Sequence, residues 1–128
     1  MNYVTIVVML ALLQYLYFAV AVGRARTRHG VPAPATQGDE VFERFHRAHQ
    51  NTLEQLVVFI PSIFAAAYYA NVGLAVCMGV VFLVSRIFYF RMYITEPSSR
   101  GRPMILTMAA NLVLIIASLV GALRDILL

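Results

Sequence analysis

The chain has 128 residues, 61% of them hydrophobic, and a mean hydropathy of +0.77. Soluble domains carry about half apolar residues, so this composition excludes an ordinary water-soluble globule. The net charge is +4, every one of the ten cationic side chains is arginine, and these sit at the ends of apolar runs rather than on one polar face, which argues against nucleic-acid binding.

Four long apolar runs fill most of the length and predict one all-α membrane domain over residues 1–128, a polytopic bundle of four transmembrane helices. The first span is expected over about residues 3–22. It lacks a basic start and reads as a retained span rather than a signal segment. Arg24, Arg26 and Arg28 are expected to stop it. His29 to Gly38 contains Pro32 and Pro34 and reads as a loop.

The second span is expected over about 41–70. Asp39, Glu40 and Glu43 place negative charge where a helix N-terminus favours it. About thirty residues of helix reach roughly 45 Å, beyond the ~30 Å hydrocarbon core, so the polar first third should protrude. Pro61 predicts a kink. Asn71-Val72-Gly73 predicts a tight turn, which makes the third span, about 74–94, an antiparallel neighbour. Cys77 within it reads as a small core residue. Thr95 to Pro103 reads as a second polar loop, and the fourth span is expected over about 104–123. Both arginine-bearing loops then fall on one side. The positive-inside rule makes that side cytoplasmic and leaves both termini on the other.

The polar residues inside the spans form stripes. Arg44, Arg47, Asn51 and Glu54 fall at roughly 0°, 300°, 340° and 280° around the second helix, and Arg86, Tyr89 and Tyr93 at roughly 0°, 300° and 340° around the third. Ionisable groups at membrane depth are costly and normally face a partner, a cavity or a ligand. Arg44 and Arg47 could also snorkel to headgroups, Glu54 could pair with an arginine, and the two tyrosines could belong to an aromatic belt. Together with Arg26 and Arg100 in the loops, the stripes supply guanidinium forks for carboxylates and one carboxylate for an ammonium. Glutathione has two carboxylates, one ammonium and a thiol. A free thiol has a pKa of about 8.5, and its thiolate is the nucleophile. A guanidinium lowering that value by about two units would contribute about 2.7 kcal/mol. His29, His46 and His49 lack the ligand pattern of a metal site, and no metal is expected.

The run Phe42-Glu-Arg-Phe-His-Arg-Ala-His-Gln-Asn-Thr-Leu-Glu-Gln55 resembles the second-helix signature of the family of membrane-associated proteins in eicosanoid and glutathione metabolism. Arg86-Ile-Phe-Tyr89 followed by Tyr93 resembles its third-helix motif, and Arg100-Gly101 the arginine that opens its fourth helix. The resemblance extends over essentially the whole chain. It implies a homotrimer of four-helix subunits in which glutathione, the co-substrate, lies between neighbours on the cytoplasmic side. By that resemblance Arg47, His49, Asn51, Glu54, Arg86, Tyr89 and Tyr93 would hold glutathione. Arg26 would approach from a neighbour, and Arg100 would stabilise the thiolate, with Arg102 its rival. His49 falls at roughly 140° on the wheel, off the stripe. Thr52, Gln55 and Gly101 stand where some members have other residues, and Gly101 argues against prostaglandin isomerase chemistry. The implied activity is a membrane-bound glutathione transferase acting on apolar electrophiles, with reduction of lipid hydroperoxides as an added possibility. The alternative is a non-catalytic lipid-binding or scaffold protein of the same fold. A small transporter is a third class, but inverted repeats are not evident.

Overall fold

A computed structural model describes all residues, 1–128. It is all-helical: α1 spans Asn2–Arg28, α2 Glu40–Tyr69, α3 Val72–Thr95 and α4 Gly101–Leu127, with a 3-10 turn at Pro97–Arg100. Each of the four helices is long and apolar enough to cross a membrane.

The helix ends follow local chemistry. Asp39 caps α2 by accepting from the Phe42 amide at 2.9 Å, and Glu40 and Glu43 follow in the first turn, where the helix dipole favours anions. Arg26 and Arg28 occupy the last turn of α1, where cations are favoured. Arginine is a good helix former, so the charges that end the apolar span do not end the helix, which runs on to Arg28. The connection between α2 and α3 is also tighter than the sequence suggests. Only Ala70 and Asn71 lie between the helices, and the Asn71 side chain accepts from the Leu74 amide at 2.9 Å, drawing Val72 and Gly73 into α3. The expected loop from Thr95 to Pro103 is shorter in the same way. Its second half is helical, because Pro103 falls in the first turn of α4, where its missing amide forfeits no helical bond. Helix α2 is continuous through Pro61.

Helices α2 and α3 form a central pair on which α1 and α4 each lean. The main core runs between them: Val4, Val8 and Ala11 from α1 meet Phe59, Ile63 and Ala66 from α2, Phe82 from α3 and Leu114 from α4. Phe59 and Phe82 stack at 3.9 Å. Nearer the arginine-rich end, Phe18 stacks on Phe90 at 4.0 Å beside buried Ala48 and Tyr89. Only 29 of the 128 residues are buried, so most apolar side chains face outward, as they would toward lipid or another subunit. Cys77, expected in the core, is exposed on that outer surface. Periodicity alone could not assign its face, since α3 is apolar on nearly every side in its first half.

Close approach of α4 to the end of α2 depends on Gly121. A Cβ there would collide with the Tyr69 backbone carbonyl, which cannot move aside without disturbing the end of α2. Gly121→Val should therefore destabilise the fold by about 1–3 kcal/mol, the usual scale for overpacking. Thermal unfolding in detergent checks this, and an unchanged melting temperature would contradict the close approach.

Candidate functional site

The first half of α2, the last turns of α3 and the 3-10 turn converge at the arginine-rich end of the bundle. There a cavity of about 310 Å³ is lined by Arg47, Gln50, Asn51, Glu54, Tyr89, Tyr93 and Arg100. A second hollow of about 450 Å³ shares Asn51, Tyr89 and Arg100 and adds Ser98, Gly101 and Met104. Ligand sites commonly enclose about 300–1,000 Å³, so the two together suit a small peptide-sized molecule.

The floor of the cavity is rigid. Arg86 is fully buried, and its Nη2 donates to Asn51 Oδ1 and Thr52 Oγ1, each at 2.9 Å. Its guanidinium lies 4.1 Å from the Tyr89 ring centroid, a cation–π contact. Its Nη1 faces Met104 Sδ at 3.8 Å, and its Nε has no partner. A hydrogen-bonded guanidinium thus locks the α2 amide and the α3 phenol into position. The rim is open. Arg100 donates to the Pro97 carbonyl and sits 5.0 Å from the Tyr93 ring centroid. Arg47, Gln50, Glu54 and Arg100 are all exposed.

The residues singled out in the sequence separate into two groups. Arg47, Asn51, Glu54, Tyr89, Tyr93 and Arg100 meet at the cavity. Arg86 lies beneath it and reaches it only through Asn51 and Tyr89. His49 is turned away, stacked on Tyr15 of α1 at 4.3 Å, as its position on the helical wheel implies. Arg26, expected in the loop, lies in the last turn of α1 and is tied to the loop that follows, donating to the Val31 and Ala35 carbonyls with its guanidinium 4.7 Å from the Phe42 ring centroid. Arg44, on the same predicted stripe as Arg47, bonds Glu40 at 2.7 Å and the Ile94 carbonyl at 3.3 Å. Arg102 is exposed and borders neither hollow. Three lining residues were not singled out from the sequence, Gln50, Ser98 and Met104, the last an apolar residue at the start of α4 that nothing in the pattern marks. Gln50 falls at roughly 240° on the wheel, at the edge of the stripe, and could have been found there. Ser98 lies in the 3-10 turn, outside any helical period.

Two guanidinium groups, one carboxylate, amides and phenols around one hollow suit a ligand carrying both carboxylate and ammonium. The family model described as MAPEG matches residues 4–120. The chain belongs to the MAPEG family. It is 38% identical to an uncharacterized protein of Synechocystis over 89% of this chain and 83% of that one. It is 35% identical to microsomal glutathione S-transferase 2 of Bos taurus over 89% of this chain and 78% of that protein. It is 33% identical to leukotriene C4 synthase of Cavia porcellus over 94% of this chain and 81% of that protein. In this member of the family, the run Phe42–Gln55 forms the first half of α2 and supplies four of the residues lining the cavity: Arg47, Gln50, Asn51 and Glu54.

Thr52 is buried and lines neither hollow, yet its hydroxyl accepts from Arg86 while donating to the Ala48 carbonyl at 2.9 Å. Thr52→Val keeps the shape and removes an acceptor from a buried charge. The expected loss is about 1.5–3 kcal/mol, the scale of a hydrogen bond to a charged group. A thermal melt equal to the parent's would show that Arg86 does not depend on Thr52.

Proposed function

We propose that this protein is a membrane-bound glutathione transferase, joining the thiolate sulfur of glutathione to an apolar electrophile. The observation that carries this is the convergence of Arg47, Asn51 and Glu54 of α2 with Tyr89 and Tyr93 of α3 and with Arg100 at one hollow. The family and the names of its relatives support the same reading. Arg47 binds a carboxylate of the tripeptide, Glu54 takes its ammonium, and Asn51 and the tyrosines hydrogen-bond the remainder. Arg100, at the rim and always charged, draws the thiol proton off to solvent by stabilising the sulfur anion. The sulfur then forms a bond to the electrophilic carbon, and the displaced electron pair leaves with the leaving group or the opened ring oxygen. Arg102 is the rival for this role. The bilayer delivers the apolar substrate, and the arginine-rich end faces the cytoplasm, in keeping with the positive-inside rule.

The working form in this reading is a homotrimer. Arg47 and Glu54 stand exposed on the outer side of a helix that crosses the membrane. Charges on such a face are costly against lipid, and a neighbouring subunit removes that cost. Arg26 then approaches the hollow of the next subunit rather than its own.

Arg47→Ala should weaken glutathione binding by about 1.5–3 kcal/mol in calorimetric titration. Arg100→Ala should bind glutathione nearly as the parent does but lose most of the transferase rate. Its pH–rate profile should move up toward the free thiol value of about 8.5. An Arg100→Ala enzyme with parental rate and profile, beside an Arg102→Ala enzyme that loses both, would transfer the role to Arg102. Shared sites are tested by co-expressing Arg26→Ala and Arg100→Ala subunits. Trimers mixing the two should regain partial activity that neither homogeneous trimer has. Active monomers in native mass spectrometry would refute the shared arrangement.

A further inference from the structure

A second feature of the bundle lies away from the cavity. Between α1 and α3, with Phe45 of α2 contributing to its wall, runs an apolar groove of about 930 Å³. Its α1 wall is built from Leu10, Gln14, Tyr17 and Ala21, a repeat of three and four residues along one face. The same face continues, one and two turns further on, through Arg24 and Arg28. Both are exposed, and neither makes an ion pair. The α3 wall ends at the same end of the bundle in Arg91, likewise exposed and unpaired, beside Thr95.

Arg91 thus lines the trough itself, and Arg24 and Arg28 lie on the α1 face that continues from it toward the arginine-rich end. Around α3, the groove-lining residues Leu83, Ile87 and Ile94 centre about a third of a turn from Arg86, Tyr89 and Tyr93, so the trough and the polar cavity occupy different sides of the helix. From Leu83 to Thr95 the trough extends roughly 18 Å along the helix, slightly more than one leaflet of a ~30 Å hydrocarbon core.

We propose that this trough is a binding site for an anionic phospholipid of the arginine-side leaflet. The headgroup phosphate sits among Arg24, Arg28 and Arg91, and one acyl chain lies along the α1–α3 groove. Charge complementarity selects this occupant. A neutral electrophile would leave the three cations unanswered. A second copy of this chain would have to bring an acidic patch to this level, yet of its six acids Asp39 already caps α2, Glu40 is bonded to Arg44, Glu54 lines the polar cavity and Asp125 lies near the opposite end, which leaves Glu43 and Glu96 against three cations. Basic pockets between membrane helices are a recurrent mode of anionic headgroup recognition.

The test is lipid retention. Protein from vesicles of equal phosphatidylglycerol and phosphatidylcholine is released into the gas phase, and the bound lipids are identified by native mass spectrometry. The parent should retain phosphatidylglycerol in preference to phosphatidylcholine. Arg24→Gln/Arg28→Gln/Arg91→Gln should lose that preference by roughly a hundredfold, since each arginine near an anionic surface contributes about fivefold. Ala21→Trp, which fills the trough and keeps the arginines, should lose the adduct as well. The triple variant should still bind glutathione as the parent does, because none of its three positions borders the polar cavity. Equal retention of the two lipids by the parent overturns the proposal, and so does an unchanged preference in either variant. Loss of the oligomer without loss of lipid in the triple variant would instead assign the trough to a second copy of the chain, and would also overturn it.

Discussion

The arrangement of the polar end rests on one buried cation. Arg86 is fully enclosed in a helix that crosses the membrane, and it has no carboxylate partner. Removing a guanidinium from water is costly, so its neighbours must answer it with oxygen atoms and an aromatic face. Asn51 and Thr52 from α2 and Tyr89 from α3 do this. The consequence is geometric. The same contacts that satisfy Arg86 fix Asn51 and Tyr89 at the wall of the hollow, and they join α2 to α3 at the height where the site must form. A salt bridge in that place would satisfy the charge but leave the amide and the phenol free to turn.

The remainder of the bundle is organised to leave that end polar and everything else apolar. Small residues bring the helices close, most tightly where Gly121 meets the end of α2. Stacked phenylalanines fill the space between, and the outer faces carry leucine, isoleucine and valine. With so little of the chain buried against itself, much of its stability has to come from what surrounds it rather than from its own core. In the proposed homotrimer, exposed Arg47 and Glu54 give a neighbour a reason to sit against the first half of α2.

Much of this was legible beforehand, because a membrane imposes the same arithmetic on every span. Long apolar runs gave four helices. The helical wheel brought Arg47, Asn51 and Glu54 to one stripe and set His49 aside, and the structure places them accordingly. What the wheel could not supply was depth and partner. Arg44 shares the stripe with Arg47 but is drawn off by Glu40, one turn earlier. Arg86 shares a stripe with Tyr89 and Tyr93, yet it points beneath the hollow rather than into it, because Asn51 and Thr52 lie there on the facing helix. Periodicity describes one helix at a time, while these outcomes depend on a second. The helix ends were misjudged for a simpler reason. Arginine and a first-turn proline end the apolar segment without ending the helix, so span and helix differ at the end of α1 and the start of α4.

Depth along the arginine side also explains how one residue type serves several ends. Arg86 lies about 13 Å along the helix from Thr95, too deep to reach water, and so it must be answered by the protein. Arg91 is a turn and a half nearer the surface on a different face of α3, exposed, and free to meet a headgroup. Arg100 lies beyond the helix altogether, resting on Tyr93 at the rim, where it can meet a ligand arriving from water. Lysine could snorkel at the two shallow positions, but at the deepest one a compact ammonium could not spread its charge over two oxygens and a ring at once. A chain that uses arginine alone therefore has a side chain suited to every depth, and its role at each is set by what the neighbouring helix presents.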